Sequence, residues 1–207
     1  MTKTAKPNPE KILPAFDLEA FWMSERDSHL AVAEKTFETL KEDFALMIDA
    51  CARSLSAGGK ILFFGNGGSA ADAQHLATEL TVRFVKNRAP LPALALTTDT
   101  SSLTAIGNDY GFDHLFSRQV DALGQAGDIA IGISTSGNSP NVLNGLRAAR
   151  SKNIITVGLA GRNGGKMPEF CDILLTVPAE ETARIQEMHI TLGHMLCGAL
   201  ENKLGLV

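Results

Sequence analysis

Cysteine is scarce in this 207-residue chain and odd in number: Cys51, Cys171 and Cys197, with no C-x-x-C spacing. That excludes a disulfide framework and a zinc knuckle, and fits reduced thiols in a cytosolic protein. Positive charge is not in excess, with 19 Lys and Arg against 23 Asp and Glu and a formal net charge of -4. A broad basic face for nucleic acid, which works by neutralising phosphates, is excluded. No apolar run approaches the roughly 18 residues of a membrane span, and no apolar stretch of the secretory kind follows the polar Met1–Pro9. Low-complexity tracts and internal repeats are also missing. The expectation is a soluble, cytoplasmic, globular protein with neither nucleic acid nor membrane as partner. Aromatics make up only 6%, whereas the 19 glycines imply many tight turns between short elements.

What is present is a regular alternation. Five short apolar runs read as buried strands: Lys60–Gly65, Pro92–Thr97, Asp128–Ser134, Ile154–Leu159 and Asp172–Val177. Helical patterns lie between and after them, at Ser69–Phe84, Phe112–Leu123, Pro140–Ser151 and Ala183–Leu204. Continuous apolar strands alternating with helices predict an α/β, three-layer αβα sandwich on a five-stranded parallel sheet. Ahead of it, Asp17 to about Leu55 reads as helix. Leu30, Ala33, Phe37, Leu40, Phe44, Met47 and Cys51 form its apolar stripe, which its own domain or another subunit must cover.

Ligands of such sheets bind at the carboxyl ends of the strands. The first strand ends in Gly65-Asn-Gly-Gly-Ser-Ala70, where three glycines let the backbone turn sharply and Ser69 reads as a helix N-cap. The third ends in Ser134-Thr-Ser-Gly-Asn-Ser139 before Pro140, more hydroxyls than a cap requires. Hydroxyls and free helix N–H groups bind phosphate without a lysine. Neither loop matches a dinucleotide or nucleoside-triphosphate fingerprint. His75 and Glu79, at i and i+4, share a helix face, which suits two metal ligands or an acid and a base. On the last helix, Gln186 and His194 lie within about 80° of each other and His189 about 60° to the other side. Helical geometry does not choose between the two histidines.

Gly65-Asn-Gly-Gly-Ser69 followed by Gly132-Ile-Ser-Thr-Ser-Gly-Asn-Ser139 resembles the sugar isomerase (SIS) domain. Asp72–Leu80, Gly107–Phe112, Phe116-Ser-Arg118, Gly164–Met167 and Arg184–Ile190 narrow the resemblance to the phosphoheptose isomerase family. The similarity runs in order from about Leu30 to the C-terminus. It implies an SIS fold over 58–207 and a helical oligomerisation segment over 16–57; residues 1–15, with prolines at Pro7, Pro9 and Pro14 and no counterpart in the family, read as loosely ordered. It also implies a homotetramer whose active sites are completed across subunits. The activity implied is aldose–ketose isomerisation of sedoheptulose 7-phosphate to D-glycero-D-manno-heptose 7-phosphate through an enediolate. That is the first step towards nucleotide-activated heptose for lipopolysaccharide or another glycan.

The resemblance also carries a site. One zinc ion per subunit falls on His75, Glu79, Gln186 and His194, leaving His189 as a packed histidine. Substrate contacts fall on Asn66, Gly67, Gly68, Ser69, Glu79, Asn108, Asp109, Ser134, Thr135, Ser136, Ser139 and Gln186. Composition alone makes Asn108-Asp109 a turn. Glu79 is the implied base and His194 the implied acid. A zinc-bound carboxylate is a weaker base, so either Glu79 leaves the metal during turnover or the zinc mainly organises the site. Two departures stand out: Ala183 replaces an aspartate of some members, and Thr78 replaces a second glutamate. A sister group with the same fold is no enzyme but binds the replication initiator; it shares Ala183–His189 yet lacks the pair Glu79 and His194. A regulatory sugar-phosphate sensor would likewise not need that pair.

Overall fold

The computed structural model describes residues 14–207; most of the 1–15 segment expected to be loose lies outside them. The elements are α1 (Leu18–Thr39), α2 (Lys41–Ser56), β1 (Ile61–Gly65), α3 (Gly68–Thr81), β2 (Ala93–Ala95), α4 (Thr100–Asp109), α5 (Leu115–Leu123), β3 (Ile129–Ser134), α6 (Pro140–Ser151), β4 (Ile155–Gly161), β5 (Ile173–Val177) and α7 (Thr182–Lys203). Single 3-10 turns at Phe112–His114 and Met167–Glu169 precede α5 and β5. All five strands pair in parallel in the order β2-β1-β3-β4-β5. The strand order reverses between β1 and β3. The crevice at their carboxyl ends is therefore where a ligand fits.

Alternation along each strand divides the core. Ile61, Phe63, Ile129, Ile131 and Ile133 face a cluster completed by Met47 and Cys51 of α2, Leu76 and Leu80 of α3, and Ile185, Met188 and Leu196 of α7. Leu62, Phe64 and Ala130 face the opposite cluster, built with Phe116 and Val120 of α5 and Val142 and Leu146 of α6. The sheet is covered on both sides, as the unbroken apolar runs require.

The N-terminal pattern is corrected in one respect. It forms two helices that break at Leu40 (φ -104°, ψ 6°). The break turns Met47, Ala50 and Cys51 onto the sheet, while α1 runs along α7. There Arg184 donates to the Glu25 carbonyl (2.8 Å) and carboxylate (3.0 Å), and His29 meets Glu187 at 2.8 Å. Only Thr36 of α1 is buried; Phe21, Trp22, Leu30 and Phe37 stay exposed. A second correction is α4, which the sequence pattern did not indicate. Its N-terminus is capped by Asp99, whose carboxylate accepts from the Ser101 and Ser102 N–H groups. None of its residues is fully buried; Leu103 and Ile106 pack on the core only in part, too short a stripe to betray the helix.

Candidate active site

At the end of β1 the chain turns through Gly67 (φ +57°), a conformation that favours glycine. Gly67, not Ser69, is the N-cap of α3. Ser69 lies inside the first turn and is buried, packed so tightly that a Cβ on Gly65 would sit 2.7 Å from the Ser69 Cβ. Gly68 faces α7: a Cβ there would lie 2.4 Å from Gln186 Nε2. The loop is thus shaped to receive the Gln186 amide.

Helices α3 and α7 run side by side in the same direction. Gly68 meets Gln186 at one end, and Gly193 packs on Leu76 further along. This contact brings His75 and His194 together across 119 residues of chain, Nε2 to Nε2 at 2.7 Å. Glu79 Oε1 lies 3.4 Å from His75 Nε2. The three donor atoms fall within 4.8 Å of one another, at a half-open surface. Two imidazole nitrogens and a carboxylate oxygen form a donor set suited to zinc. Gln186 is two turns earlier on α7, with its amide at the glycine loop. Phe84 stacks on the far side of His194, ring centroids 5.6 Å apart.

His189 is fully buried and bonds the Ala160 carbonyl through Nε2 at 2.9 Å. Burial pulls its pKa from 6.5 down to about 4, so it is neutral and structural. Of the two histidines of α7, His194 is the one that stands beside His75. Burial also raises the Asp72 carboxyl, with His75 opposing, and pushes the Cys197 thiol up to about 12, with Glu79 adding to the effect.

The serine loop at the end of β3 packs against the glycine loop. Ser134 Oγ and Ser139 Oγ are 3.0 Å apart, and Ser139 is the N-cap of α6 without using its side chain as a cap. Ser136 Oγ accepts the Asn138 N–H at 3.2 Å, two residues before the helix starts. Gly137 (φ +64°) presses so closely on the next loop that a Cβ would sit 2.0 Å from the Gly164 carbonyl oxygen. Lys166 N–H donates to the Gly137 carbonyl at 3.0 Å.

Asn66 has a partner within the chain. Its amide forms a reciprocal pair with buried Asn141, at 2.8 and 2.9 Å, and so ties the two loops together. Asn141 carried no sequence signal, because its partner lies 75 residues away. Asn108 and Asp109 are not a turn but the last residues of α4. They bond each other at 2.7 Å. Asp109 borders a cavity of about 420 Å³ shared with Asp99, Ser102, Ile106 and Arg118, on the outer side of β2. Asp109 is not one of the carboxylates grouped with His75 and His194.

Comparison with known proteins agrees with this geometry. The SIS domain family model matches residues 26–161. The chain is 58% identical to a phosphoheptose isomerase of Paramagnetospirillum magneticum, over 84% of this chain and 90% of the relative. It is 62% identical to one from Solidesulfovibrio magneticus, over 78% and 81%. Among solved structures, the phosphoheptose isomerase of Neisseria gonorrhoeae superposes with a TM-score of 0.85 at 46% identity, covering 90% of this chain and 100% of that one. That of Francisella tularensis gives 0.87 at 36%, with the same coverage. The chain belongs to the phosphoheptose isomerase family of SIS-domain proteins.

Proposed function

We propose that the protein interconverts sedoheptulose 7-phosphate and D-glycero-D-manno-heptose 7-phosphate through an enediolate. The observation that carries this reading is the meeting of His75, Glu79 and His194, in a chain of this family, in the second half of α3 where it packs along α7. Isomerisation needs one base near two adjacent carbons and donors for the oxygens between which charge moves. Glu79 keeps Oε1 towards His75; its other oxygen takes the C1 proton and returns one at C2. His194 donates to and accepts from the sugar oxygens as these exchange their protons. The hydroxyls of Ser134, Thr135, Ser136 and Ser139, with the N-terminus of α6, hold the phosphate. Gly67, Gly68 and Gln186 line the sugar. Anchoring the far end of the substrate places the reacting carbons against Glu79.

His75, Glu79 and His194 would hold a zinc ion; Gln186, whose amide lies against Gly68 two turns earlier on α7, is the fourth ligand that the resemblance implies. When bound, the ion supplies Lewis-acid polarisation of the carbonyl. The exposed apolar residues of α1, and an Asp109 that does not belong to the histidine group, support a homotetramer. In it, residues 16–57 serve assembly, and α4 of a neighbour completes the pocket. The product would feed a heptose-containing glycan such as lipopolysaccharide, and the reaction would run in the cytoplasm. The reading as a partner of the replication initiator is set aside, because Glu79 and His194 are both present and adjoin His75.

The test is turnover of sedoheptulose 7-phosphate by chelated protein, with and without added Zn²⁺. The expected result is an aldoheptose 7-phosphate that a His194→Ala variant does not make. No product under any metal condition, from folded protein, would overturn the reading.

A further inference from the structure

Behind the histidine group lies a buried ion pair that none of the chemistry above uses. Arg88 and Glu201 are 1% and 2% exposed and meet at 2.8 Å, Nε to Oε1. Such a pair is retained at a cost in desolvation and is weak support for stability by itself. Its bonds reach towards the site. Arg88 Nη2 donates to the backbone carbonyl of Glu79 at 2.8 Å, and Nη1 to that of Leu80 at 2.7 Å. These carbonyls close the last turns of α3, where no helical N–H remains to satisfy them. Glu201 accepts the N–H of Phe84 at 3.1 Å and of Val85 at 3.4 Å. Phe84 is the residue whose ring stacks on His194, and it packs on Gly198 of the same helix. One pair thus holds the Glu79 backbone from one side and the His194 ring wall from the other.

We propose that Arg88 and Glu201 form a positioning unit that fixes the separation of Glu79 on α3 from His194 on α7. Neither touches substrate; both act through the two residues they hold. The inference rests on the functional reading above. A planar guanidinium can reach Glu201 and two carbonyls at once, whereas a lysine ammonium, a point donor on a flexible stem, cannot hold the same fork. Loss of such support costs about 10- to 100-fold in metal affinity or activity.

The test compares wild type with Arg88→Lys and Glu201→Gln. Fold is checked by circular dichroism, kcat and KM are measured on sedoheptulose 7-phosphate, and Zn²⁺ affinity by competition with a chromophoric chelator. The expected result is folded protein with kcat down at least about tenfold, KM within about threefold, and Zn²⁺ affinity down about tenfold or more. A lowered melting temperature with kcat and Zn²⁺ affinity within about twofold of wild type would show a merely structural pair and overturn the proposal. Should both variants fail to fold, Phe84→Leu decides on the same readouts, since it removes the wall on His194 and leaves the ion pair and its backbone bonds in place. Unchanged values there overturn the proposal as well. Wild-type protein that neither turns over the sugar nor binds Zn²⁺ refutes the functional reading and this inference with it; an active wild type with unaffected variants refutes this inference alone.

Discussion

Replacing Gly68 by alanine separates the site from the fold more cleanly than removing a catalytic group. The new Cβ would stand 2.4 Å from Gln186 Nε2, 2.9 Å from its Cδ and 3.1 Å from its Oε1. Ordinary contact begins near 3.4 Å, so the Gln186 amide must retreat by about 1 Å. The clash falls on the far end of a flexible side chain, and Gly68 is an ordinary first residue of α3, outside the left-handed region. Alanine is the better helix former by up to about 1 kcal/mol, so stability should hold or rise slightly. The function should not survive as well. A displacement of about 1 Å in a positioning group can cost about a hundredfold in rate, equivalent to about 2.7 kcal/mol of transition-state stabilisation. Steady-state kinetics on sedoheptulose 7-phosphate, beside a thermal melt, would show kcat lower by about that factor with Tm undiminished. In a Gln186→Ala background the same substitution should cost nothing further. A Gly68→Ala enzyme within about threefold of wild type would refute the role given to Gln186, and a large loss of Tm would refute the claim that the side chain absorbs the clash.

Two further expectations concern the phosphate loop and the buried histidine. Gly137→Ala places a Cβ 2.0 Å from a backbone oxygen at a φ of +64°, so the serine loop must part from the 161–165 loop. KM for the sugar phosphate should rise at least about tenfold with a stability loss of about 1–3 kcal/mol, and an unchanged KM would contradict the cradle assignment. His189 is neutral when folded, with a pKa near 4 against 6.5, whereas the unfolded chain takes up the proton below about 6.5. Its contribution is therefore whole above that pH and shrinks as pH falls towards about 4, by about 3 kcal/mol. Urea unfolding at pH 7 and pH 4 should show a fall that much smaller in His189→Gln, whose amide can still donate to the Ala160 carbonyl. Equal falls in the two proteins would show that His189 is not held neutral.

The sheet was legible because the central strands β1, β3 and β4 are buried on both faces, leaving continuous apolar runs such as Ile61–Phe64 that need no partner to be recognised. The glycine and serine loops were legible as strand ends for the same reason. What escaped depends on contacts between distant parts of the chain. Helix α4 packs Leu103 and Ile106 on the core only partly buried, a stripe too short to leave a clear periodic trace. The break at Leu40 lies in a stripe with neither glycine nor proline to mark it. Periodicity left His189 and His194 equivalent; the family resemblance separated them, and the packing of Gly193 on Leu76 turns His194 to His75. Asn141, which takes up the Asn66 amide, and the Arg88–Glu201 pair, which spans 113 residues, carry no local signal at all. Asn108 and Asp109 were singled out by resemblance alone; they close α4, and Asp109 borders the cavity it shares with Asp99, Ser102 and Arg118.

The central claim is that the carboxylate beside His75 moves the proton. The most direct measurement is turnover of sedoheptulose 7-phosphate by a Glu79→Gln variant against wild type, with both proteins shown to be folded. Glutamine keeps the shape and removes the base. The account predicts active wild type and a variant slower by at least about a hundredfold, at the lower range of what a positioned general base contributes. A Glu79→Gln enzyme turning over at a rate near that of wild type would contradict it.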